Sequence, residues 1–270
     1  MNIDSRMVKQ IRDRTGAGIM ACKKALQEAE GDFEQAVEIL RKEGQAKIAK
    51  REGRQAREGL IRMAVAPDGK KAALIELNCE TDFVARTDDF AALADWVLGE
   101  VMARGDQAAG SPEVEEKIRE VAGKTGEKME LSRVLVWEKS GFIGGYLHFN
   151  SRVAALVELS ENVPSVAREV SMQVAVSAPE YLSEADVPEQ VKAKEKEIAA
   201  AQFADKPEAV RDKIVEGKWR KRLTELCLLD FPYMREDEIS VGEFVRREGG
   251  PDLEIADYVR WQLGESGDGE

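Results

Sequence analysis

A single histidine, His148, stands in the whole chain. Ser-His-Asp triads, Cys-His pairs and HExxH zinc sites each need an imidazole beside set partners, so most of the usual catalytic repertoire is excluded. Cysteine is scarce too. Cys22, Cys79 and Cys227 are scattered without CxxC spacing, which predicts reduced thiols in a reducing compartment, hence a cytoplasmic protein, rather than a disulfide framework. Positive charge is in deficit: 40 Lys and Arg face 52 Asp and Glu, a formal net charge of -12. Phosphate-rich partners are repelled on average, so a dedicated nucleic-acid binder is not expected. No apolar run is long enough to span a bilayer. The start Met1-Asn2-Ile3-Asp4-Ser5 has neither a basic n-region with an apolar h-region nor an Arg-rich transit pattern, so neither anchor nor export signal is expected. What is present is core material. Of 270 residues 43% are hydrophobic, enough for one large domain or two to three small ones. These features together describe a binding protein without covalent chemistry or a cofactor of its own.

The first segment has the pattern of a small helical unit. Val8 and Ile11 line one helix that stops at Thr15-Gly16-Ala17-Gly18, residues 19–30 form a second, and Gly31 suits a cap with positive φ. Asp32 caps a third helix with Gln35 three residues on; Phe33, Ala36, Val37 and Leu40 form its apolar face, and Gly44 ends it. Residues 45–58 continue as a polar connector helix carrying Lys47, Lys50, Arg51, Arg54 and Arg57. Such a run needs no partner, and a solvated face is favoured over an RNA or acidic-protein contact.

Two β-rich runs, 60–66 and 71–78, flank the turn signal Pro67-Asp68-Gly69 and predict a hairpin. Thr87 caps a helix whose apolar positions are Phe90, Leu93, Val97 and Val101, and a charge-rich helix covers 112–122. Ala73-Leu74-Ile75-Glu76-Leu77 recurs as Ala155-Leu156-Val157-Glu158-Leu159, in each case after an earlier strand, here 142–149, and before a helix, here 164–177. Two copies of one sheet-plus-helix subdomain are therefore expected. The second copy joins strand to helix through Ser160-Glu161-Asn162-Val163, whereas the first uses the longer stretch 78–86. That surplus makes the loop a candidate for function. Further on, Val191, Ile198 and Ala201 mark a helix, and Lys206-Pro207 opens another through Val210, Ile214, Leu223 and Leu226. The two form a projecting helical hairpin. Ser240 caps a short helix with Val241, Phe244 and Val245, and 264–270 are too polar to pack.

Within the surplus loop Phe83 stands among Glu80, Thr81, Asp82 and Arg86, and composition alone leaves open whether the ring is presented or buried under its own loop. Cys79 has no imidazole beside it and reads as an inert strand-end thiol. His148, alternating with Tyr146, reads as a half-buried sheet residue. Glu76, Glu80, Asp82, Asp88 and Asp89 are numerous enough to surround a hard cation, but their spacing matches no EF-hand loop and no metal site is expected. A carboxylate-dependent metal enzyme and an RNA-associated protein are the alternatives from other classes.

Glu76-Leu77-Asn78-Cys79-Glu80-Thr81-Asp82-Phe83-Val84-Ala85-Arg86 closely resembles the second signature of the elongation factor Ts family, the guanine nucleotide exchange factors of bacterial translation. The family's first signature has its counterpart in Ile11-Arg12-Asp13-Arg14-Thr15-Gly16-Ala17-Gly18, followed by Ile19-Met20-Ala21-Cys22-Lys23-Lys24-Ala25-Leu26, with Ile11 for the usual Leu and Ala21 for the usual acidic residue. The resemblance continues through Gly31-Asp32, Val187-Pro188, Val215-Glu216-Gly217 and Val241-Gly242, and is weakest after Gly249. It implies an α+β fold: an N-terminal three-helix ubiquitin-associated-like domain (1–45), a basic helical linker (46–58), and two related sheet-plus-helix core subdomains, 59–139 and 140–270. The second would carry a helical coiled-coil hairpin protrusion at about 188–228 and a flexible acidic tail. The implied function is to bind elongation factor Tu carrying GDP, dislocate its Mg²⁺ and let the nucleotide leave so that GTP can bind. Thr81, Asp82, Phe83 and Val84 are the implied residues of that contact, with Asp82 and Phe83 at the partner's nucleotide domain and Ile19 and Met20 as a secondary contact. Met also suits such a contact because it adapts to irregular grooves; a place in the helical core is the alternative for Met20. No cofactor, nucleic acid or membrane is implied, and the factor works as one copy or as a homodimer within a 2:2 complex.

Overall fold

Helix α1 (Ser5–Thr15) starts where the Asp4 side chain accepts the Arg6 N–H, and it stops where Gly16 takes φ 69°, a left-handed cap. This is the beginning of the computed structural model, which describes residues 4–49 and 53–265. Helix α2 (Ile19–Glu28) follows, and Asp32 Oδ1 then accepts the Gln35 N–H at 2.9 Å to open α3 (Phe33–Ala49), the cap expected from sequence. The three helices close on Ile11, Cys22, Ala25, Leu26, Ala36 and Leu40.

Two expectations fail in this region. Gly44 does not end the third helix. The backbone stays helical through it to Ala49, and Gly44 lies against Gly123, whose Cα is 3.7 Å from where a Cβ would stand. Nor is 45–58 one polar helix: 53–57 are non-helical, because the chain must straighten for Glu58 to pair with Cys79 in a sheet. Of the basic run, Lys50, Arg51 and the Lys47 side chain lie outside the described residues, and Arg54 ion-pairs with Glu80 at 2.9 Å.

Strands β1 (Glu58–Val65) and β2 (Lys71–Cys79) form the expected hairpin. After α4 (Asp82–Ala85), α5 (Asp88–Arg104) and α6 (Pro112–Thr125), strand β3 (Met129–Glu138) returns antiparallel along β2, giving the order β1-β2-β3. The plan then repeats. Strands β4 (Phe142–Leu147) and β5 (Val153–Leu159) precede α7 (Pro164–Ser177). An arm of α8 (Glu189–Gln202) and α9 (Glu208–Leu226) comes next, then a ribbon of β6 (Pro232–Tyr233) and β7 (Glu236–Ser240), and α10 (Val241–Gly249). Strand β8 (Ile255–Gln262) closes the order β4-β5-β8. The internal match thus occupies the central strand of each sheet. In both, the register slips directly after the matched glutamate, between Glu76 and Leu77 and between Glu158 and Leu159. Both glutamates are buried and paired, Glu76 with Arg133 and Glu158 with Lys139.

The two sheets pack face to face. Ile61, Leu74 and Leu135 of the first meet Ile143, Leu156 and Trp261 of the second. Helices cover the outer faces: α5 and α6 lie over Ile75 and Leu77, α7 and α10 over Val157 and Leu159. Gly144 and Gly145 let β4 fit between a helix and a sheet. A Cβ at Gly144 would stand 2.4 Å from Ala167 Cβ of α7, and one at Gly145 2.7 Å from Met63 Sδ of the other sheet.

The arm is fastened at its base by Val187, Trp219, Leu223 and Leu226, with the Trp219 indole N–H donating to Glu184 at 2.8 Å. Along it Lys196 pairs with Glu216 at 2.9 Å. Among the described residues no helix is long and apolar enough to cross a membrane.

Candidate partner-binding site

The site begins where β2 runs out. Cys79, the last strand residue, is fully buried, and burial followed by the nearby Glu127 charge pushes its thiol up to about 12. It is protonated at neutral pH and carries no nucleophilic chemistry. Beyond it Glu80 accepts the Lys128 backbone N–H at 2.8 Å and pairs with Arg54. Thr81, in extended backbone, then caps a helix of a single turn, its Oγ1 accepting the Val84 N–H at 3.4 Å.

One turn of helix is unstable in isolation, because nucleation fixes several residues for few hydrogen bonds. This one is held from both ends. The Thr81 backbone N–H and hydroxyl both donate to the Glu127 carboxylate, at 3.0 and 2.6 Å. At the other end the Thr87 hydroxyl donates to the Val84 carbonyl at 2.8 Å and in turn caps α5. Val84 and Ala85 pack on the core beneath. Phe83, one residue away on a helical surface, points elsewhere and is 81% exposed. Of the two states that composition leaves open, presented or tucked under, the ring is presented. Asp82 pairs with Arg86 at 2.8 Å, an exposed contact of about 0.5 kcal/mol that leaves the carboxylate available.

The other expected residues lie elsewhere. Ile19 and Met20 occupy the first turn of α2, 55% and 77% exposed, so Met20 is not the core residue that was its alternative. Ile19 borders a groove with Val8, Lys9, Arg12 and Lys23. The five carboxylates considered for a cation do not gather. Glu76 bonds Arg133, Glu80 bonds Arg54 and the Lys128 N–H, and Asp82 makes its exposed pair with Arg86. Among the described residues no three acidic, thiol or imidazole groups converge on a metal position.

Strand β4 ends at Leu147, two residues before the expected end, because the chain turns at once: the His148 N–H donates to the Val153 carbonyl at 2.9 Å and Ser151 takes φ 56°. His148 is half-buried as expected, though just beyond the strand rather than in it, with Nδ1 2.9 Å from the Tyr146 hydroxyl. This turn exposes an aromatic side chain that was not anticipated, Phe149, at 90%. Its neighbours Asn150, Ser151 and Arg152 share a groove with Asp82, Ala85 and Arg86, so α4 and the turn border one surface. The available signal was Phe149-Asn150-Ser151 directly after a strand, an aromatic at a turn where solvent is expected.

Buried thiols, and a phenylalanine raised on a doubly anchored turn, give a projecting surface of the kind that binds another protein rather than a catalytic pocket. Comparison with known proteins gives the family. The family model described as Elongation factor TS matches residues 80–265. Among curated relatives, Elongation factor Ts of Aquifex aeolicus is 38% identical over 287 residues, covering 98% of this chain and 99% of its own. That of Prosthecochloris aestuarii is 40% identical over 285 residues, with 97% and 99% covered. That of Methylococcus capsulatus is 40% identical over 278 residues, with 98% and 93% covered. The chain belongs to the elongation factor Ts family of translation elongation factors.

Proposed function

We propose that the chain binds elongation factor Tu carrying GDP, that Phe83 and Asp82 intrude into the partner's nucleotide domain, and that the intrusion dislocates Mg²⁺ so that GDP leaves and GTP can enter. The observation that carries this is the exposure of Phe83, 81%, on a turn anchored by Thr81 and Thr87. The step requires no covalent chemistry from this chain, which acts as an exchange factor in the cytoplasm. One copy of each protein, or a homodimer within a 2:2 complex, performs the same step.

Magnitudes decide how the work is shared. Burying one Phe yields about 1.5–3 kcal/mol, whereas reversing a two-state population takes about 5.5 kcal/mol of differential affinity. Phe83 therefore acts with a wider interface, of roughly 2,000 Å² or more, to which the helical unit, the second sheet-plus-helix unit and Thr81 and Val84 contribute. Weakening is reciprocal between nucleotide and factor, so incoming GTP expels the factor. The supporting experiment is release of labelled GDP from elongation factor Tu. A saturable acceleration by this chain is expected, and none at any concentration would overturn the proposal.

Met20 carries a separate share, at the corner after Gly16-Ala17-Gly18. Because it is 77% exposed, Met20→Asp is expected to leave helical content and melting unchanged. It should raise the half-saturating factor concentration by roughly ten-fold, the cost of one good contact residue, with the maximal release rate unaltered. Unchanged half-saturation would remove Met20 from the interface.

A further inference from the structure

Strands β2 and β3 pair as Asn78 with Glu130 and Cys79 with Met129. Continuing that register would set Glu80 opposite Lys128 and Thr81 opposite Glu127. There the backbone ladder gives way to a reciprocal exchange of side chains. The Glu80 carboxylate accepts the Lys128 N–H at 2.8 Å, and the Glu127 carboxylate accepts the Thr81 N–H at 3.0 Å together with the Thr81 hydroxyl at 2.6 Å. Glu127 is itself fixed. It follows Gly126, the left-handed cap of α6 at φ 71°, and its N–H donates to the Thr125 hydroxyl at 3.4 Å.

Taking the exchange function proposed above as given, we infer that Glu127 is a positioning residue: it clamps Thr81, and through that cap holds Phe83 in its presented pose. The Thr81 oxygen that accepts the Val84 N–H is the one whose O–H donates to Glu127, so the carboxylate orients the hydroxyl lone pair toward the helix end. Without it the Thr81 N–H loses its acceptor and a single turn loses one of its two anchors. Phe83 then samples other poses and reaches the partner correctly aligned only part of the time.

The test is Glu127→Ala in the full chain, with labelled GDP on elongation factor Tu. The maximal release rate at saturating factor is expected to fall about ten-fold, as for loss of a charge-assisted hydrogen bond that fixes a reacting geometry, with half-saturation within about two-fold of the parent. Amides of residues 81–85 are expected to exchange hydrogen faster, while those of β2 and α5 are not. A merely structural role would lower stability and raise the half-saturating concentration together, without this split. Should Glu127→Ala not fold, Glu127→Gln, which keeps the shape and one acceptor, is expected to give the same pattern at about three-fold. A maximal rate within two-fold of a parent that does accelerate release would overturn the inference. If the parent itself does not accelerate release, the exchange function fails, and the amide measurement alone decides the clamp: unchanged exchange at 81–85 refutes it.

Discussion

Phe83→Ala is expected to lower the maximal rate of GDP release by roughly 10- to 150-fold while weakening the complex far less. On the proposed mechanism the two effects separate: the ring, 81% exposed in the free chain, would gain its burial only where the partner's nucleotide pocket is being opened. Its transfer is worth about 1.5–3 kcal/mol, which appears as a factor of roughly 10–150 if it is spent in the displaced state alone. A contact made equally before and after displacement would instead raise the half-saturating concentration and leave the maximum unchanged. The substitution leaves the fold intact, since the core beneath α4 uses Val84 and Ala85. Rapid-mixing release curves across a range of factor concentrations separate the two parameters, and an unchanged maximum would show that the ring is not the wedge.

Glu76→Ala is expected to destabilise the chain by about 3 kcal/mol, the low end for stripping one partner from a buried ion pair. The Glu76 side chain is 3% exposed and holds three donors: Arg133 at 3.0 Å through Nε, Asn78 Nδ2 at 3.0 Å and the Gly264 N–H at 3.0 Å. Arg133, 17% exposed, would keep its stack on Trp261 and its bond to the Gln262 carbonyl but lose its counter-charge. Because Gln262 and Gly264 close the chain's last strand, the loss should loosen that edge of the second sheet, although the substitution lies in the first. Urea unfolding measures the cost, and the double variant Glu76→Ala with Arg133→Ala should cost less than the sum of the two singles. Additive effects would mean that the pair is not coupled.

The same buried pair explains why parts of the fold were illegible. Strand β2 and its repeat β5 stand out because a strand central to a sheet is apolar on both faces. The third strand of each sheet does not, because Arg133 interrupts Met129–Glu138, and Asp257 and Arg260 interrupt Ile255–Gln262. These charges are satisfied by Glu76, Lys139 and Glu265, partners far away in sequence or beyond the strand's end. Short-range signals fared better: Asp32, Thr87 and Ser240 cap helices as expected, since each cap acts within three residues. Gly44 misled because glycine suits a helix end through its left-handed conformation, whereas here, packed beside Gly123, it keeps a helical backbone and α3 runs on to Ala49.

The length of the 78–86 connection marked that stretch as a candidate, but it did not show that its middle is a helical turn with Phe83 raised on it. The cap of that turn, Thr81, is bonded to Glu127, 46 residues away. Phe149 escaped notice for a local reason, lying in the turn that β4 makes two residues before the expected strand end.

Displacement of Mg²⁺ by the Phe83 turn is most directly tested by timing release of labelled GDP from elongation factor Tu with and without this chain, at millimolar Mg²⁺ and again after chelation. If the chain works by dislodging the ion, its acceleration is large with Mg²⁺ present and nearly vanishes once chelation has removed the ion. An acceleration of equal size under both conditions would contradict that mechanism.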